Sequence, residues 1–128
     1  MSSIFKSAGV LIEWRGLFLL CKRTPFAHNL PNFWSVPAGH LEQDEQPEVG
    51  AARELYEETR IALDPRQLEL ISSINDFALF YYNSPFMYYP ILDVEHVGYA
   101  YFAGAEAIQL KDIDDSLALT IRKILTNN

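Results

Sequence analysis

The sequence predicts an α/β domain, a mixed β-sheet with helices packed against it. Three observations lead there. Short runs of β-branched or aromatic residues, separated by turn formers, recur on both sides of a central segment. That segment opens on Pro47 and continues in helix formers, as a helix does when the missing N–H of proline has no intrahelical partner to lose. Near the end, Leu117, Ile121, Ile124 and Leu125 repeat at helical spacing.

Taken in order, residues 8–12 and 17–21 are apolar runs around Glu13, Trp14, Arg15 and Gly16. Gly16 can take positive φ, so the pair reads as a β-hairpin. Residues 24–32 hold two prolines, His28 and two asparagines, the composition of an irregular loop, and a short strand over 33–36 should end at Pro37. The helix is expected over 47–59. Gln46 is a weak N-cap for it, and Gly50 costs up to ~1 kcal/mol relative to Ala, so both need a reason other than helix propensity. Asp64 and Pro65 break the chain. Strands are then expected over 68–74, 77–82 and 87–92, divided by Asn75, Asp76, Asn83, Ser84 and Pro85. A further short strand over 97–102 and a helix over 114–125, packed on the sheet, complete the series.

A chain of 128 residues is one domain long, so the domain is taken as 1–128 with one site to find. Hydrophobic residues at 49% exclude a disordered chain. Ten Lys and Arg against 17 Asp and Glu leave a formal charge of -7, which repels nucleic acid and anionic membrane. Neither a stable nucleic-acid partner nor a membrane is expected. Phosphate binding fits that sign only with divalent cations between carboxylates and phosphates. The lone Cys21 cannot form an internal disulfide, which suits a reducing compartment, and it reads as a buried strand residue. The first 20 residues include Lys6, Glu13 and Arg15 and read neither as a signal peptide nor as a membrane span. A cytoplasmic protein is expected, and a homodimer is compatible with the sequence.

On the 47–59 helix, Glu54, Glu57 and Glu58 fall within an arc of roughly 100°. Val49, Ala52, Leu55, Tyr56 and Thr59 fall opposite, so the apolar side should meet the sheet and the acids point outward. Gly50, on the acidic arc, would leave room for a ligand. Like charges at Glu54 and Glu58 destabilise a helix by about 0.2–0.5 kcal/mol, and folding alone gives no reason for them. Hard cations such as Mg²⁺ prefer such oxygen ligands. The other reading is a solvated acidic face partly balanced by Arg53 at Glu57.

The spacing decides between them. It runs Gly39, five residues, Glu45, seven residues, then Arg53, Glu54, Leu55, Tyr56, Glu57, Glu58, Thr59, Arg60, Ile61. This resembles the Nudix box, G-x5-E-x7-R-E-U-x-E-E-x-G-U with U a bulky aliphatic residue. Arg60 departs from it, standing where the family has glycine. Trp34, Val36, Pro37, Ala38, Gly39, His40, Leu41 and Glu42 are similar to the family's lead-in. The resemblance implies an α/β/α sandwich and a Mg²⁺- or Mn²⁺-dependent hydrolase. Glu54, Glu57 and Glu58 would hold the metal, with the Ala38 carbonyl a further ligand. Glu45 and Arg53 would form an ion pair that orients the acids. Glu95, in a stretch similar to the family's segment after the last long strand, is the candidate extra ligand or general base; it equally reads as an exposed loop acid, and Asp93 is the alternative. His96 reads as structural. The expected catalytic set is thus Glu45, Arg53, Glu54, Glu57, Glu58 and Glu95.

Arg60 can keep the left-handed helix end at roughly 1 kcal/mol or more, or end the helix differently. Lys22 and Arg23 could grip phosphates, or be plain surface cations, and Gly39 is placed beside the substrate. Phe80, Tyr81, Tyr82, Tyr88 and Tyr89 could stack on a base, although aromatic strand residues more often belong to a core. The expected partner is a small-molecule nucleotide. A nucleoside or deoxynucleoside triphosphate, as in MutT-like members, comes first. Nucleotide sugars come second, because Lys22, Arg23, Thr24, Asn32, Phe33, Trp34 and Pro37 faintly resemble the GDP-mannose hydrolases. Asn75 and Asp76 occupy the region where the ADP-ribose branch carries a proline. A non-catalytic nucleotide sensor on the same fold is the alternative of another class; retention of the acids argues against it and Arg60 weakly for it.

Overall fold

Ala8, Val10, Leu11 and Ile12 are fully buried although they point alternately to opposite sides, so their strand must be covered on both faces. In the computed structural model, which describes residues 4–127, this strand β1 (Ser7–Trp14) lies at the centre of the sheet. It pairs antiparallel with β2 (Leu17–Arg23) through a turn in which Arg15 and Gly16 both take positive φ. That is the hairpin geometry whose twist matches its strands. β3 (Trp34–Ser35) lies along β2, and β4 (Ala38–His40) along the start of β1.

α1 (Pro47–Thr59) occupies the expected range. A short 3-10 turn over Pro65–Gln67, capped by Asp64, leads to β5 (Glu69–Ile74) and β6 (Phe77–Asn83). These form a second hairpin with Asn75 and Asp76 at positive φ. β6 pairs parallel with β1, which makes the sheet mixed, and β7 (His96–Ala103) pairs antiparallel with β2. α2 (Gly104–Ala107) and α3 (Asp115–Thr126) follow. The alternation along β1 separates two cores. Ala8, Val10 and Ile12 pack with Ala51 and Leu55 of α1 on one face; Leu11 packs with Leu117 and Ile121 of α3 on the other. The α/β/α sandwich is therefore present. β4 and α2, three and four residues long, were too short to leave a periodic signal.

Two expectations are corrected. Residues 87–92 form no strand. Pro90 has no N–H for a ladder, and the neighbouring backbone is committed to the end of α1: Ile91 N–H donates to Thr59 O at 2.9 Å and Asp93 N–H to Glu58 O at 3.2 Å. Those carbonyls belong to the last turn, where helices leave C=O groups without partners. The segment is further tied by Tyr101, whose hydroxyl accepts from Tyr88 N–H and donates to Tyr88 O, both at 2.9 Å.

The second correction concerns the rotation of α1. Its buried arc includes Ala51, Ala52, Leu55, Glu58 and Thr59 and is centred on Leu55. Val49 and Tyr56 are half exposed rather than packed on the sheet, and Glu58 points inward rather than outward. Small side chains at 51 and 52 let the helix sit close to β1, and that contact sets the rotation.

Candidate active site

Gly39 and Gly50, the two glycines nearest the acids, are there to let other groups approach. A Cβ on Gly39 would fall on the carboxylate of Glu54, so β4 can run beside α1 only with glycine at this point. A Cβ on Gly50 would meet a methyl of Leu41 and Glu45 Oε1. The gap at Gly50 is thus filled by the loop over 41–45 and leaves no room for a ligand, contrary to the expectation.

Arg53 joins that loop to the acids. Its Nε donates to Glu45 Oε2 at 2.8 Å and its Nη2 to Glu45 Oε1 at 3.0 Å, a bidentate pair. Nη2 also donates to His40 O at 3.1 Å, while Nη1 reaches Glu54 Oε1 at 2.9 Å and both oxygens of Glu57 at 3.3 Å. The hydrogen-bonded guanidinium holds the Glu45 carboxyl below its ordinary range. Glu45 also accepts from Glu42 N–H at 2.9 Å, closing the turn that leads into the helix. Arg53 is saturated by acids and one carbonyl, so it positions these groups and has little left for a substrate.

The three box acids differ in environment. The side chains of Glu57, Glu54 and Glu58 are 53%, 13% and 2% exposed. Glu58 Oε1 accepts from Ala38 N–H at 3.2 Å; Oε2 has no hydrogen-bond partner among the described residues. Burial, and then the adjoining Glu54 carboxyl, push the Glu58 carboxyl far above its usual range, against the pull of Ala38 N–H. Among the described residues no three His, Cys, Asp or Glu side chains converge closely enough to form a ready cage. Glu54 and Glu58 are the pair that meet, with Glu57 one turn along the same helix. An acidic pair against a glycine, with a buried oxygen lacking a donor, is a donor set that fits a hard divalent cation.

Beneath Glu58 lies a polar cluster from the far end of the sequence. His96, with a fully buried side chain, has Nδ1 3.0 Å from Asp93 Oδ1 and Nε2 3.7 Å from Glu58 Oε1. Cys21 is buried beside them; burial, and after it Glu58 and Asp93, push its thiol up to about 12, so it stays protonated and unreactive. Of the two candidate acids, Asp93 enters this cluster. Glu95 is exposed and lines a cavity of about 940 Å³ together with Arg23, Ala38, Gly39 and His40, and with Asp114 and Ser116 from the side of α3. Arg23 is held there by its Nε donating to Asn29 O at 2.8 Å. Lys22 does not line the cavity, and its ammonium lies over the Trp34 ring at 5.7 Å. Phe80 is core, Tyr81 donates to Glu13 Oε1 at 2.6 Å, and Tyr82 and Tyr88 pack on the α1-side core, while Tyr89 is exposed. The pairing of Asp93 with His96 escaped the sequence reading; its one signal was an acid three residues before a histidine at the start of a strand.

Arg60 keeps the left-handed end. Its φ is 64° and its N–H donates to Tyr56 O at 2.8 Å, while its guanidinium lies 5.3 Å from the centroid of the Tyr56 ring.

The family model described as the NUDIX domain matches residues 5–119. A MutT-like protein of Streptomyces ambofaciens is 43% identical over 61 residues, covering 48% of this chain and 36% of the relative. Phosphatase NudJ of Escherichia coli K12 is 43% identical over 56 residues, covering 44% and 35%. The matched stretch thus spans about a third of these curated relatives. Among solved structures, the MutT protein from Methanosarcina mazei Go1 superposes with a TM-score of 0.78 at 21% identity, covering 95% of this chain and 93% of that one. Among the described residues, no helix is long and apolar enough to cross a membrane.

Proposed function

The chain belongs to the Nudix family, and from that premise we propose that it is a metal-dependent hydrolase cleaving a phosphoanhydride bond in a nucleoside diphosphate linked to a further group. A nucleoside or deoxynucleoside triphosphate, split to monophosphate and pyrophosphate, is the first choice, in keeping with the MutT-like name of the Streptomyces ambofaciens relative. The setting we propose is the cytoplasm, with a small nucleotide as the partner.

The observation that carries the proposal is the pairing of Glu54 with Glu58, whose Oε2 is buried without a hydrogen-bond partner among the described residues; the pair packs against β4, and β4, though not the acids themselves, lines a cavity large enough for a nucleotide. Glu54, Glu57, Glu58 and the Ala38 carbonyl would hold Mg²⁺, or Mn²⁺ in its place. When bound, the cation offsets phosphate charge and lowers the pKa of a bound water. Arg53 keeps Glu54 and Glu57 in place and ties the loop over 41–45 to the helix. Arg23, at the cavity wall, would grip a phosphate, and Glu95, on the adjoining segment at the same wall where Thr24 N–H donates to its carbonyl at 2.9 Å, would take the proton of the attacking water as the P–O bond to the leaving phosphate breaks.

The test is turnover of a panel of nucleoside triphosphates, dinucleotides and nucleotide sugars, with and without Mg²⁺. Release of phosphate-containing products from at least one, lost on chelation and largely lost in Glu58→Gln and Glu57→Gln, is the expected result. Unchanged rates in both variants would refute the metal roles. Tight nucleotide binding without turnover would turn the assignment to a sensor.

A further inference from the structure

A buried histidine with a purely structural role has both ring nitrogens satisfied, since a buried polar atom without a partner is costly. His96 departs from that. Its Nδ1 has Asp93 Oδ1 at 3.0 Å, but its Nε2 has no hydrogen-bond partner among the described residues. The side chain is fully buried, so bulk water does not reach it. The acid facing Nε2 is Glu58, with Oε1 at 3.7 Å, a separation that a small side-chain rotation closes. Oε1 also receives Ala38 N–H at 3.2 Å. Two groups therefore gather on Oε1 of this carboxyl, while Oε2 has neither.

We propose that His96, held by Asp93, is a positioning residue for Glu58: it anchors Oε1 so that Oε2 is the oxygen presented to the cation. This rests on the metal reading of the box. It is the arrangement by which outer groups orient a ligand, here an acid–imidazole–acid chain running Asp93, His96, Glu58. A proton on either Nε2 or the carboxyl makes the same hydrogen bond, so the anchoring does not depend on which of the two carries it. Asp93 is fixed in turn by the backbone, its N–H donating to Glu58 O at 3.2 Å and its Oδ1 accepting from Glu95 N–H at 3.2 Å.

Mn²⁺ binding to the nucleotide-free protein, followed by electron paramagnetic resonance, tests this without reference to turnover. The terminal nitrogen of glutamine reaches about as far as Nε2, and that of asparagine only as far as Nδ1. His96→Gln should keep the Mn²⁺ affinity within about threefold, while His96→Asn and His96→Leu should weaken it about 10–100-fold. Thermal unfolding of each variant checks that it is folded. Should the leucine variant fail to fold, the glutamine and asparagine pair carries the comparison. A second reading on the unaltered protein is the ¹⁵N resonance of His96 Nε2, which should move on saturation with Mg²⁺ more than the ring nitrogens of His28 and His40. Equal Mn²⁺ affinity in all variants, or an unmoved Nε2 resonance, overturns the proposal while leaving the metal site intact. No Mn²⁺ binding by the unaltered protein removes the metal site itself, and this role with it.

Discussion

Replacing Arg53 with methionine takes a guanidinium out of contact with Glu45, Glu54, Glu57 and the carbonyl of His40 while keeping an apolar stem of similar length. Removing one partner of a fully buried ion pair costs about 3–5 kcal/mol, and of an exposed pair about 0.2–1 kcal/mol. The side chain of Arg53 is 25% exposed and that of Glu45 only 9%, which places this pair between the limits but nearer the first. A loss of about 2–3 kcal/mol follows. With an unfolding entropy of about 2.1 cal/mol/K per residue, the 128-residue chain should lose roughly 7–11 °C in Tm.

Scanning calorimetry in the presence of a chelator measures this, and its pH dependence carries a sign. Arg53 lowers the folded pKa of Glu45 below its ordinary 4.5. The pair's contribution is therefore present above that pH and lost as pH falls through the depressed folded value. The gap between wild type and Arg53→Met should accordingly be widest near neutrality and shrink in acid. A Tm loss under about 2 °C, or a gap that grows in acid, would refute the reasoning that Arg53 is the strut of the loop.

Three more outcomes follow from the same geometry. Burial and the adjoining Glu54 carboxyl raise the folded pKa of Glu58, so the metal-free protein should lose stability as pH rises above 4.5 and towards 10; Glu58→Gln should flatten that dependence in urea unfolding curves, and a parallel dependence in the two proteins counts against a buried Glu58 held beside Glu54. Arg60→Gly relieves about 1–2 kcal/mol of left-handed strain but gives back about 0.4–1 kcal/mol in unfolded-chain entropy and about 0.5–1 kcal/mol of contact with the Tyr56 ring. The net should lie near zero, becoming a gain of about 0.5–1 kcal/mol in a Tyr56→Leu background; a loss of more than about 1 kcal/mol in either background contradicts the αL assignment. Gly39→Ala puts a methyl where the Glu54 carboxylate lies, so Mn²⁺ affinity should fall by about tenfold or more while the protein stays folded, and unaltered affinity would mean Glu54 is not confined by β4.

Where local physics settles a segment, the sequence was legible: the Pro47 start, the Gly16 turn and the Asn75–Asp76 turn all lie where residue chemistry puts them. Residues 87–92 were misread because β-branched and aromatic composition describes a strand equally well whether or not a partner edge is free. Their N–H groups had a competitor in the carbonyls ending α1, which only the tertiary fold brings near. The rotation of α1 failed for a related reason. Helical periodicity fixes which residues share a face but leaves the centre of the buried arc to packing, and Ala51, Ala52 and Leu55 moved it far enough to take Glu58 under. The box put Glu54, Glu57 and Glu58 on one helix, but its spacing could not say that Glu58 is buried while Glu57 is half exposed.

That burial links the two halves of the site. A carboxylate on the exposed arc would be held by water, whereas Glu58 lies beside the Glu54 carboxyl with Ala38 N–H at 3.2 Å and His96 Nε2 at 3.7 Å from its Oε1. Both come from segments whose positions are set by backbone: β4 by its pairing with β1, and the turn before β7 by Asp93 N–H on Glu58 O. The helix that supplies the acids thus also supplies, through its last carbonyls, the anchor for Asp93, His96 and the loop that carries Glu95. A change in how α1 ends would reach all three. This gives the retained left-handed geometry at Arg60 a consequence beyond the helix itself: with Tyr56 O taken by Arg60 N–H, the carbonyls of Glu58 and Thr59 stay available to hold the segment over 87–93.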